Sequence, residues 1–319
     1  MPFLRRFAAL AFATLCLQAG EGAAGVDPKL PPYRPASGVS GTLSGFGEGA
    51  ASQQVVRWIE AFGKLVPPLE SEIAGRPRTG DELARGRRGF EARSRALRPE
   101  ELETFVKIAK HEPTVVRVSL DVLAIYVHAK NPVAQLTLAQ VEAIFSPTRK
   151  RGSPEDLTTW GQLGLTGDWV TRPVATSCPG GDAPSSRFFR ELVLAGGDLK
   201  PNVADRKSIE ALLAAVKADP GAIGFAPIGG QPSGFRAVRI VGMDDRPYEP
   251  TEADAVGGRY PLSRSIYFYV KRTPGKPLPP PVREFVRYVL SREGQEILAA
   301  SGSGTLSAGL AAKERAKVE

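Results

Sequence analysis

From Gly41 onward, short apolar runs rich in β-branched residues alternate with stretches whose apolar residues recur every three or four positions. This alternation restricts the fold more than any other feature, because strands joined through helices build sheets covered by helices, the α/β class. Helices are predicted over 50–65, with Val55, Trp58, Ile59, Phe62 and Leu65 on one face, and over 98–110, 137–145, 185–194 and 208–218. A helix pair is predicted from Pro279. Strands are predicted over 41–46, 169–176, 221–229, 236–241 and 265–272, and over 115–132 as one strand or two. The 319 residues suffice for about two domains at roughly 150 residues each.

The N-terminus reads differently. Arg5 and Arg6 precede an apolar run, 7–19, too short to span a bilayer, and the small residues Gly22 and Ala24 follow. Residues 1–24 are therefore expected to be a secretory signal peptide, which implies a periplasmic protein. Leu15 before Cys16 disfavours a lipid anchor there. Residues 25–40, rich in proline and small residues, read as an extended lead-in.

Chemistry-bearing residues are few. Cys178 is the one cysteine beyond the leader, and His111 and His128 are the only histidines, so neither a disulfide framework nor a histidine-built metal site is expected. No cofactor is expected either, since GxGxxG, GxxxxGK[ST], HExxH and GxSxG are all absent. A thiol at Cys178 needs a base partner to be catalytic, and packing is its expected role. The net charge of +8 suits an anionic ligand or a plain basic surface. The arginine-rich stretch 76–98 reads either as an anion patch or as a solvated face; it lacks interleaved aromatics, so nucleic acid is not expected. Trp58, Trp160 and Trp169 are expected in packing roles.

Several segments carry a resemblance: FEARSRALRPEELETF, LDVLAIYVHAKNPVAQLTLAQVEAIFSPT, DLTTWGQLGLTGDW, DPGAIGFAPIG, YPLSRSIYFYVKR and YVLSREGQEIL. Together, in this order, they resemble the phosphate-binding proteins of ABC transporters from about residue 41 to 312. The resemblance implies a two-lobed type II periplasmic binding protein fold with an interlobe cleft and two crossover strands. It implies a discontinuous first lobe, 41–126 plus 266–319, and a second lobe, 127–265. It further implies a monomeric solute-binding protein, not an enzyme, that takes phosphate or a related oxyanion and meets ABC permease membrane subunits. The alternative keeps the scaffold without phosphate affinity, as an envelope interaction or accessory protein.

In that family backbone amides at helix N-termini, hydroxyls and an arginine hold the anion, a suitable chemistry for free N–H groups and positive dipole ends. Gly47 is retained in the first loop, but Glu48 stands in place of a serine and Ala50 in place of a threonine, and a carboxylate there repels an oxyanion. In the second loop, 75–81, Thr79 is the nearest hydroxyl. Ser94 falls at a ligand position, followed by Arg95; its other reading is a loop serine bonding its own backbone. In the fourth loop Pro179 replaces the arginine, and Ala183, Pro184 and Ser185 replace a Ser-Gly-Thr run beside Asp182. Ser94, Ser185 and Arg187, with Arg95, are the candidates for a rewired anion site at a retained helix entrance.

Overall fold

A computed structural model describes residues 25–49, 51–67, 69–73, 81–229 and 233–319. The leader with Cys16, together with Ala50, Arg76, Arg78 and Thr79, lies outside the described residues.

Strand β1 (Gly41–Glu48) lies between β2 (Leu69–Ile73) and β3 (Phe90–Arg93), parallel to both. Helix α1 (Ala51–Leu65) buries Val55, Trp58, Ile59 and Phe62 on one face, at the spacing that one side of a helix requires. The chain then forms α2 (Pro99–Ala109), whose first turn holds Pro99, Glu100 and Glu101 as the missing N–H and the helix dipole favour.

The predicted run 115–132 is one strand, β4 (Thr114–His128), and it organises the molecule. At about 3.3 Å per residue, its 15 residues reach across both halves of the sheet. It is followed by β5 (Gln135–Leu136), α3 (Leu138–Phe145), β6 (Ala175–Cys178), α4 (Pro184–Leu192), β7 (Ala204–Asp205), α5 (Ile209–Ala218) and β8 (Ala222–Pro227). Next come β9 (Phe235–Val241), β10 (Pro247–Tyr248), α6 (Glu252–Val256) and β11 (Ser263–Val270). Three helices close the chain: α7 (Pro280–Val289), α8 (Arg292–Ala300) and α9 (Ala308–Ala316).

The sheet order is β2-β1-β3-β11-β4-β8-β6-β7, with β9 also paired to β4. β4 pairs antiparallel with β11 from Thr114 to Val122 and with β8 from Leu123 to Val127. It therefore changes partners at Val122/Leu123, opposite Ser263 where β11 begins. There the Leu123 N–H donates to Leu262 O at 2.9 Å, and the buried Tyr260 hydroxyl donates to Leu123 O at 2.7 Å. The fold is the two-lobed α/β architecture that the resemblance implies.

Each half has its own aromatic core. Phe62, Phe90, Phe268, Phe285 and Tyr288 meet in the first, with Phe90 stacked on Phe268 at 5.1 Å. In the second, Phe189 stacks on Phe225 at 3.7 Å and Phe145 meets both edge-on. Trp58 and Trp160 are fully buried, and Trp169 packs edge-on against Trp160.

One expectation needs correction. The strand expected over 169–176 begins only at Ala175, because Trp160 N–H bonds Arg172 O and Pro173, with no N–H, ends that turn. The expected C-terminal helix pair is α7 and α8, and a further helix, α9, capped by Ser307, follows it. The lead-in is clamped down, with Leu30 buried and Asp27 Oδ2 accepting the Ala308 N–H at 2.8 Å.

Candidate functional site

The two halves meet over a cleft of about 370 Å³. The first half contributes Gln53 and Gln54 of α1, Ser94 just after β3, and the Ser301–Ser303 loop after α8. The second contributes Pro184, Arg187 and Glu191 of α4. Asp121 of β4 and Arg264 of β11 line the floor beside the partner exchange. A recess of about 180 Å³ opens from the same floor and adds Ser185, Phe188 and Glu252.

Arg264 is the centre of this arrangement. Its Nε donates to Asp121 Oδ2 at 2.7 Å, its Nη1 lies 3.4 Å from Glu191 Oε2, and its guanidinium carbon sits 4.1 Å from the centre of the Phe188 ring. A guanidinium has five N–H groups, so three remain for the cleft. Asp121 Oδ1 meanwhile accepts the Gly304 N–H. A side chain at Gly304 would collide with the Leu120 carbonyl oxygen and Asp121, so glycine is what lets this loop come so near β4.

The walls supply weaker groups. Gln54 Nε2 donates to Ser301 Oγ at 2.7 Å and Ser303 Oγ at 3.2 Å, while its Oε1 is buried without a partner. Ala183 gives α4 no side-chain cap, and Pro184 at its first position has no N–H to lose. The N–H groups of that first turn thus remain open beside Ser185. Ser186 Oγ there is buried and unpartnered. Arg187 spends Nη1 on Asp182 O at 2.6 Å and is otherwise exposed. Arg187 and Arg264 are balanced in the main cleft by Asp121 and Glu191.

Of the sequence candidates, Ser94 and Arg187 line the cleft and Ser185 lines its recess. The Ser94 hydroxyl has no hydrogen-bond partner among the described residues. Gly47 sits behind the wall, its carbonyl accepting from Ser52 Oγ, and a Cβ there would strike the Ser52 backbone. Arg95 is held away from the cleft by Glu101, at 2.6 and 2.8 Å from its two guanidinium nitrogens. The sequence reading did not single out Arg264, Asp121 or Gln54. Asp121 did leave a signal, as a lone carboxylate inside an apolar 15-residue strand.

Glu48 also has an explanation. It lies in register with Arg93, whose Nη1 sits 2.5 Å from Glu48 Oε2 and 3.0 Å from Glu101 Oε1, while Nε bonds Glu91. The carboxylate expected to repel an anion is therefore paired from within the sheet, by an arginine it shares with Glu91 and Glu101. Arg95 hydrogen bonds hold the Glu101 carboxyl well below the usual carboxylate range, whereas burial pushes Glu91 up despite Arg93. A lowered carboxyl stabilises the fold above its unfolded value, about pH 4.3, and loses that contribution as acid protonates it. Glu91 acts with the opposite sign, favouring the fold more as it becomes protonated. Glu101→Gln is therefore expected to lower the denaturation midpoint at pH 7 and to flatten its fall from about pH 5 downward. A variant as acid-sensitive as the parent would contradict this.

Other chemistry is sparse among the described residues. No group of three or more potential metal ligands occurs, and no helix is long and apolar enough to cross a membrane. Cys178 is buried, and burial pushes its thiol up, away from nucleophilic reactivity.

Comparisons with known proteins add a family context. A family model described as a PBP superfamily domain matches residues 34–293. The chain is 36% identical over 316 residues to the phosphate-binding protein PstS of Pseudomonas aeruginosa, covering 98% of each. It is 25% identical over 269 residues to PstS of Staphylococcus epidermidis, covering 81% of this chain and 78% of that one. Among solved structures, a possible phosphate binding protein from Planctomyces limnophilus is similar in fold, with a TM-score of 0.60. That match covers 88% of this chain and 98% of the other, at 19% identity.

Proposed function

The chain belongs to the PBP superfamily and, within it, to the PstS phosphate-binding proteins, and from that premise we propose that it captures phosphate or a related oxyanion in the cleft. It hands the ligand to the membrane subunits of an ABC permease, as a monomer in the periplasm after loss of residues 1–24. The lobes are 41–126 plus 266–319 and 127–265. No bond is made or broken, which agrees with relatives that are solute-binding proteins rather than enzymes.

The observation that carries this reading is Arg264 on the cleft floor, with groups from both halves around it. An oxyanion reaching its three spare N–H groups can also take Arg187 and the α4 entrance from one side and Ser94 and the Ser301–Ser303 loop from the other. Such a ligand touches both lobes only when they are closed, so it shifts the population toward the closed state by its differential affinity. Phosphate bears an O–H near neutral pH, and the carboxylates Asp121 and Glu191 in the cleft lining are acceptors for it. Sulfate has no such proton.

Calorimetric titration of the chain from residue 25 tests this. Phosphate is expected to bind at micromolar or lower Kd, with sulfate at least tenfold weaker. Absence of heat and of thermal stabilisation by phosphate would overturn it. A second reading, an accessory protein on the same scaffold, draws support from the carboxylates that already occupy the arginines: Asp121 and Glu191 on Arg264, Glu48 and Glu101 on Arg93. It requires that outcome.

A further inference from the structure

The lead-in and the C-terminal helices enclose a second cavity, of about 260 Å³, away from the cleft. Its walls are the 31–34 segment, Arg287 of α7, Ser291 and Arg315 of α9. Three arginines line it, Arg34, Arg287 and Arg315, and no carboxylate does. Arg34 and Arg315 have no side-chain hydrogen bond or ion pair among the described residues. Arg287 uses Nη1 on Glu284 at 2.7 Å, and its other N–H groups are uncommitted.

The two nearby carboxylates are already engaged. Glu284 is fully buried and accepts from the Tyr33 hydroxyl at 3.3 Å and the Ala36 N–H at 3.4 Å as well as from Arg287. Glu293 accepts the Tyr33 N–H at 2.7 Å and the Ser291 hydroxyl at 3.0 Å. These bonds also hold the walls in place. The Tyr33 ring is wedged edge-on against Phe62 and Tyr288, Pro31 O accepts the Arg292 N–H, and the two prolines fix their own backbone. Two arginines without a counter-ion and a third only partly engaged by Glu284, gathered on a prearranged wall, are a site for an anion.

We infer that this cavity is a second anion site that takes a multivalent phosphoryl group. Several oxygens and more than one negative charge match three guanidinium forks, whereas a single carboxylate satisfies one. The same chemistry is offered by a free phosphorylated molecule and by the headgroup of an anionic lipid. Two assays separate these sources, each comparing the parent with an Arg34→Ala/Arg315→Ala double variant.

The first is titration with inorganic pyrophosphate, repeated in Arg264→Ala, where the cleft is disabled. The second is co-sedimentation with vesicles of phosphatidylglycerol, with phosphatidylcholine vesicles as control. The double variant is expected to lose about tenfold or more in one assay: in pyrophosphate affinity that Arg264→Ala retains if the source is free, in retention on anionic vesicles if it is a lipid. Binding of phosphate in the cleft is expected to be unchanged. Since Arg34 is exposed, Arg34→Ala alone serves as a variant with no folding burden, expected to lose about threefold. A parent that binds neither probe, or a double variant that binds both as the parent does, overturns the proposal.

Discussion

Arg264→Ala is expected to weaken phosphate capture by about two orders of magnitude while moving the melting temperature little. The guanidinium offers three N–H groups to the cleft, and a charge-assisted hydrogen bond contributes roughly 1.5–3 kcal/mol. Two such bonds, discounted for the hold that Asp121 and Glu191 already have on the group, leave about 2.7 kcal/mol, or a hundredfold at 1.4 kcal/mol per decade. Charge balance acts in the same direction. With Arg264 gone, Asp121 and Glu191 face the ligand with Arg187 alone to offset them. Stability changes less because the arginine side chain is about one-third exposed (32%) and its ion pairs are partly solvated. Arg264→Lys separates charge from geometry, and about tenfold is expected to be lost through the missing fork. Calorimetry of the three proteins checks this, and an unchanged Kd in the alanine variant would remove Arg264 from the site.

Trp58→Ala is expected to cost about 3–5 kcal/mol of folding free energy, the range for large aromatics removed from a core. The indole is fully buried, meets Phe268 edge-on at 5.6 Å, and donates from Nε1 to Gly294 O at 2.7 Å. Its loss leaves a cavity between α1 and β11 and removes the indole donor from the Gly294 carbonyl. Native domains hold only about 5–15 kcal/mol in reserve, so a drop of roughly 10 °C or more in melting temperature is expected at about 2–4 °C per kcal/mol. Trp58→Phe keeps most of the packing and loses the donor, and is expected near 1–3 kcal/mol. Denaturant midpoints measure both. Equal losses in the two variants would mean that the hydrogen bond, not the volume, is what matters.

The sequence is informative where one face of an element is apolar. Helix α1 begins within a residue of its expected start because Val55, Trp58, Ile59 and Phe62 mark its buried side. Helix α3 is preceded by the expected Thr137 cap, whose Oγ1 accepts the Gln140 N–H at 3.1 Å. Strand β3 was invisible for the converse reason: two of its four buried residues are Glu91 and Arg93, and their burial is tolerable only because they bond each other and Glu48 and Glu101. No hydrophobic pattern can report that. The cleft is illegible for a related reason. Asp121, Arg187, Arg264 and Ser303 are spread over 183 positions and are united only by the partner exchange of β4. Ser94 could be found because it falls at a ligand position inside FEARSRALRPEELETF, and Arg187 because it lies in the first turn of a helix with a retained entrance, whereas Arg264 lies inside YPLSRSIYFYVKR with nothing to distinguish it from a solvent-facing strand arginine.

The position of β11 between β3 and β4 governs the order in which the protein can be assembled. A chain delivered N-terminus first has β1 to β4 available early, yet β3 and β4 cannot take their places on either side of β11 until residues 263–270 arrive to lie between them. The second half, whose strands all lie between residues 123 and 248, has its complete set first. The first half must wait, with the long pairing distance that slows closure of non-local sheets. Late arrival of β11 thus keeps one lobe unfinished by topology alone, and truncation before residue 263 removes an interior strand of that lobe rather than trimming an end.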